Sequence, residues 1–99
     1  MSGAAISAAR VPTASASRYL QQLAKHWSHK MAVDFSAEEG TIAFPNGTRL
    51  DMKADSDSLD LVLTVPASEE AGRMQSVVAS HLDRFAFREA PLTFDWKAA

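Results

Sequence analysis

The sequence predicts an α+β fold: an antiparallel sheet of about five to six strands with two helices packed on one face, in the order β-α-β-β-β-β-α-β. Three observations carry this. Two stretches repeat their apolar residues at helical spacing, the region between them alternates with period two, and Pro, Gly, Asn and Asp fall at the joints. Short joints between alternating segments imply antiparallel neighbours, with one face on the core and one in water. At 99 residues the chain is expected to form a single domain, 1–99, with residues 1–5 disordered.

Ile6 to Val11 reads as a short strand closed by Pro12, which has no N–H for a ladder. Thr13, Ser15 and Ser17 then offer successive N-cap oxygens for a helix running to about Lys30. Its apolar stripe is Ala16, Tyr19, Leu20, Leu23, Ala24 and Trp27. The period then changes. Met31, Val33 and Phe35 alternate with polar or small neighbours, Glu38-Glu39-Gly40 reads as a turn, and Ile42 and Phe44 continue the pattern. Pro45-Asn46-Gly47 supplies a tight hairpin, since Asn and Gly tolerate positive φ. Leu50 and Met52 lead back, Asp55-Ser56-Asp57-Ser58 turns the chain again, and Leu59, Leu61, Leu63 and Val65 form the cleanest alternation. After Pro66, Ser68 with Glu69 and Glu70 is expected to open a second helix, acids in a first turn complementing the macrodipole. Ala71, Met74, Val78, Leu82 and Phe85 make its stripe. Beyond Pro91, Leu92, Phe94 and Trp96 alternate with Thr93, Asp95 and Lys97 as a final strand.

Ten Lys and Arg against twelve Asp and Glu leave a net charge of −2, which argues against a nucleic-acid partner held by electrostatics. Cysteine is absent, so disulfides, thiolate metal sites and cysteine nucleophiles are excluded. No apolar run reaches membrane-spanning length and the start lacks a signal-peptide pattern, so the expected location is the cytoplasm. No phosphate loop, G-x-S-x-G elbow or H-E-x-x-H occurs, and the Asn46-Gly47-Thr48 sequon is accounted for by the turn. Asp34, Asp51, Asp60 and Asp95 share the outward face with Arg49, Lys53 and Lys97, which reads as a solvated face of charge pairs rather than an acid–base pair.

The histidines are more informative. His26 and His29 form an H-x-x-H pair late in the first helix, His26 bordering the stripe and His29 further round. His81 falls within the stripe of the second helix, so a buried, neutral ring partnered by His26, Tyr19 or an ordered water is expected. If the helices lie side by side, His26, His29 and His81 are the one set that could hold zinc or ferrous iron, although no cofactor is required by any motif. Structural or capping roles explain the same residues more simply. Arg84 and Arg88, one turn apart near His81, call for carboxylates such as Glu89 or for an anionic ligand. The candidate ligand-binding set is therefore His26, His29, His81, Tyr19, Arg84 and Arg88. Phe87 lies off the stripe and is the aromatic expected to be exposed.

Ser17 to Lys30, containing Lys25-His26-Trp27-Ser28-His29-Lys30, and His81 to Glu89, reading His-Leu-Asp-Arg-Phe-Ala-Phe-Arg-Glu, are long and specific strings. Together with Ala9-Arg10-Val11, Ile42-Ala43-Phe44-Pro45 and Trp96, they resemble a small bacterial family classed as a domain of unknown function, over about residues 7–97. That family occurs as stand-alone chains and joined to siderophore-interacting flavin reductases, which release iron from ferric siderophores. The resemblance implies a non-enzymatic accessory or binding module linked to siderophore-iron metabolism, with such a reductase as partner. This chain carries no motif for flavin or nicotinamide. A small metal- or ligand-dependent enzyme centred on the three histidines is the alternative. An interaction module that dimerises through the sheet is a third reading, leaving the chain a monomer or a homodimer.

Overall fold

A computed structural model describes residues 4–67 and 69–99. The elements are β1 (Ala5–Pro12), α1 (Ala16–Trp27), β2 (Ala32–Phe35), β3 (Glu39–Ala43), β4 (Arg49–Ala54), β5 (Ser58–Val65), α2 (Ala71–Phe85) and β6 (Lys97–Ala98). The six strands form one antiparallel sheet in the order β2-β3-β4-β5-β1-β6. The expected class and element order are what the chain adopts. The expectation of disorder over residues 1–5 lies outside the described residues for Met1 to Gly3, whereas Ala5 already pairs with Val65.

Alternation decides which face is dry. Val11, Ile42, Leu50, Met52, Leu59, Leu61, Leu63 and Val65 are buried beneath Leu20, Leu23 and Trp27 of α1 and Met74, Val78 and Leu82 of α2. Asp51, opposite Val62, and Asp60, opposite Lys53 and Arg10, take the other face, as period two requires. There Arg49 pairs with Asp51 of its own strand at 3.1 Å, and Arg10 reaches Asp60 across the ladder at 3.5 Å. Met31, Val33, Phe35, Phe85, Phe94 and Trp96 are only half-buried, because β2 and the chain after α2 lie at the rim of the core.

Three local expectations change. Glu39 and Gly40 belong to β3 rather than to a turn, and Ser36 makes the turn by accepting from the Glu38 and Glu39 N–H groups at 3.3 and 3.2 Å. Glu69 and Glu70 precede α2 instead of occupying its first turn, and Ser68 lies outside the described residues. Leu92 to Trp96 is not a strand. Only Lys97 and Ala98 pair, with Ala8 and Ser7, after a cis Ala90–Pro91 bond. Leu92 is buried, its N–H donating to Asp83 Oδ1 at 2.9 Å, while the Phe94 and Trp96 rings stack 11° from parallel. Their alternation records an extended chain laid on the core. By contrast the Pro45–Gly47 hairpin forms as expected: Gly47 has φ +92°, and Asn46 Oδ1 accepts from the Thr48 N–H at 2.9 Å.

Candidate site on the α1–α2 surface

α1 and α2 bring His26 and His81 together. Their ring centroids stand 5.6 Å apart with planes tilted by 46°. Trp27 lies 4.9 Å from the His81 ring, Phe85 meets the His26 ring edge-on at 5.7 Å, and Phe44 packs edge-on against Trp27 at 5.0 Å. The pattern explains the arrangement: Trp27 closes the buried stripe of α1, which leaves His26 on its border facing α2.

His81 is half-buried rather than enclosed, and its partner is not on α1. Its Nδ1 stands 2.7 Å from the Val77 carbonyl oxygen, one turn back on α2. Because a carbonyl only accepts, Nδ1 carries the proton and Nε2 keeps its lone pair in the neutral ring. The expected hydrogen bond from His26 or Tyr19 is replaced by this local one.

His26 is exposed, yet one side of its ring lies against Trp27, His81 and Phe85. That partial loss of water, then the nearby charges of His81, Lys30, Arg84 and His29, holds its imidazole below the ordinary value near 6.5. A depressed folded-state value means that the unfolded chain binds the proton more readily. His26 therefore contributes stability above about pH 6.5 that is lost as pH falls through its folded-state value. NMR titration of the His26 ring is expected to give a midpoint below 6.5, and a midpoint at or above it would contradict the ring contacts.

His29 lies beyond α1 and is exposed. Among the described residues no three His, Cys, Asp or Glu side chains are grouped to hold a metal ion, so His26, His29 and His81 do not converge as a triad. Arg84 and Arg88 lack the carboxylate partners that were one of their two expected roles, since among the described residues neither forms an ion pair. Arg88 lies 5.8 Å from the ring centre of Phe87, which is 73% exposed.

Glu89, expected beside those arginines, serves α1 instead. Its carboxylate accepts from the Tyr19 hydroxyl and from Thr13 Oγ1 at 3.0 and 3.1 Å, and Thr13 Oγ1 accepts from the Ser15 N–H at 3.0 Å. The buried Tyr19 thus links α1 to the segment just past α2. The Glu89 hydrogen bond, burial and the Glu89 charge together raise its phenol above the usual value, outweighing the opposing hydroxyls of Ser15 and Thr13. A raised value means that this stability is complete below about pH 10 and is lost as pH rises beyond it. Tyr19→Phe is expected to cost about 1 kcal/mol at pH 7, the partner carboxylate being exposed, and to remove the alkaline loss due to this group; urea melts at both pH values check it.

Two clefts among the described residues lie elsewhere. One, between the start of α1 and the β4–β5 turn, is lined by Ser15, Ser17, Arg18, Glu38 and Asp55; another, at the β3–β4 end, by Glu39, Lys53, Asp55 and Asp60. Neither is bordered by a histidine. Among the described residues no helix is long and apolar enough to cross a membrane.

The NMR structure of PA4090 from Pseudomonas aeruginosa is similar to this chain, with a TM-score of 0.76 and 35% identity over 94% of this chain and 95% of that one. No curated protein matches the sequence. Residues 8–97 match the model of an uncharacterized protein conserved in bacteria (DUF2218), so the chain belongs to that bacterial family.

Proposed function

We propose that the chain is a non-enzymatic binding module that docks on a siderophore-interacting flavin reductase through the α1–α2 surface and works in the cytoplasm. The observation that carries the binding reading is where the chemistry-bearing side chains gather. His26, His81 and Phe85 stand together with the Lys30 and Arg84 charges nearby, and neither cleft described above is lined by them. A cationic and aromatic surface of this kind suits a partner's acidic surface better than enclosed catalysis, which needs a pocket with convergent polar groups. The resemblance of the Lys25–Lys30 and His81–Glu89 strings to a domain joined to such reductases supports the choice of partner.

A ferric-siderophore reduction assay with and without the chain, together with size-exclusion chromatography of the mixture, tests the proposal. Co-elution and a changed rate, both weakened by Arg84→Glu, are expected. Absence of co-elution and an unchanged rate at tens of micromolar would remove the reductase as partner.

A further inference from the structure

We infer that His26 and His81 form a two-ligand site for a divalent transition-metal cation, bridging α1 and α2. The first argument is geometric. An imidazole nitrogen bonds Zn²⁺ at about 2.0–2.1 Å, which puts the ring centroid about 3.2 Å from the metal, so two rings at the tetrahedral angle stand about 5.2 Å apart. The observed separation is 5.6 Å. A side-chain adjustment of a few tenths of an ångström brings the rings to the required spacing.

The second argument is the tautomer of His81. Donation from Nδ1 to the Val77 carbonyl orients the ring and leaves Nε2 as the lone-pair nitrogen. Metal-binding histidines are held in the same way, the outer nitrogen bonded to a carbonyl or carboxylate so that the inner one is fixed and more basic. The third is stiffness: the two ligands stand on helices whose buried stripes share one core, so their backbones are fixed relative to each other before a metal arrives.

Two protein ligands leave coordination positions for water or an added anion, which makes this an open site. Lys30 and Arg84, whose charges act on His26, oppose a second cation there. That opposition supplies a signature that a merely structural pair would not show, because removing the Arg84 charge should tighten metal binding. The inference stands apart from the partner proposed above, since metal binding is measured on the chain alone.

The test is calorimetric titration of the untagged full chain with Zn²⁺ and with Ni²⁺ at pH 7.5 in chelator-treated buffer. One metal per chain with micromolar affinity is expected. His26→Ala and His81→Ala should each weaken it at least about tenfold, as even outer-shell partners of metal ligands commonly do. His29→Ala should change it little, and Arg84→Gln should strengthen it. As a measurement on the unaltered chain, substoichiometric Cu²⁺ should broaden the NMR signals of the His26 and His81 rings before those of His29. No binding, equal broadening of all three rings, or affinity that survives both histidine replacements would overturn the inference.

Discussion

Leu82→Ala is expected to destabilise the fold by about 2–5 kcal/mol, a large fraction of the stability available to a domain of this size. Leu82 is fully buried on the stripe of α2, with Met74 and Val78 of the same helix and the leucines of β5 in the same core. Truncation removes apolar burial and leaves a void that α2, anchored by Leu92 and Ala86 just beyond, closes only partly. Phe85→Ala should cost less, because Phe85 is half-buried at the rim. Denaturant melts with an unchanged slope give the values. A shift below about 1 kcal/mol for Leu82 would mean that α2 contributes little to the core.

Gly40→Val is the second large effect, expected at about 1–3 kcal/mol through overpacking. Gly40 lies inside β3 on the covered face, opposite Phe35 and Met52. A Cβ there would stand 3.3 Å from both Leu20 Cδ2 and Met52 Cε and 3.5 Å from Phe35 Cβ. Alanine requires only that two flexible side-chain ends shift slightly, so Gly40→Ala should be much milder. Valine adds two methyl groups where α1 rests directly on the strand. Thermal melts of both variants should show that order, and equal melting temperatures would mean that α1 sits further from β3.

The same glycine shows where sequence patterning stops. Within Glu38-Glu39-Gly40 the composition of a turn and that of a strand with a close helix crossing are alike, and only the position of Leu20 above β3 decides between them. The buried stripes of α1 and α2 and the alternation of β4 and β5 were legible because each is a local periodicity meeting a single core. Leu92–Trp96 also alternates but forms no strand, since side-chain period does not report the presence of a pairing partner.

At the candidate site, the approach of His26 to His81 followed from two helical wheels. Two details did not. The His81 partner is a main-chain carbonyl, which no side-chain pattern encodes. Glu89 was visible only as a neighbour of Arg84 and Arg88, while its bond to Tyr19 spans 70 residues. A carboxylate just past a helix has several reachable hydroxyls and cations, and tertiary structure makes the choice.

The place of β1 in the sheet has a consequence for the order in which the molecule assembles. β2 to β5 are joined through short turns and can zip sequentially, whereas β1 inserts between β5 and β6. Its Arg10 meets Ser58, 48 residues away, in a ladder that runs from Ala5 to Pro12. On the ribosome β1 and α1 therefore emerge well before the strand that receives them, and Ala9 and Val11 have no ladder partner until β5 has been made. Closing that long loop comes before its contacts are gained, which places the β1–β5 ladder late in folding. By reversal of that order, native-state hydrogen exchange should open the β1 amides in a sub-global step ahead of those in the β4–β5 ladder, while those of the four-residue edge strand β2 exchange through smaller, local openings.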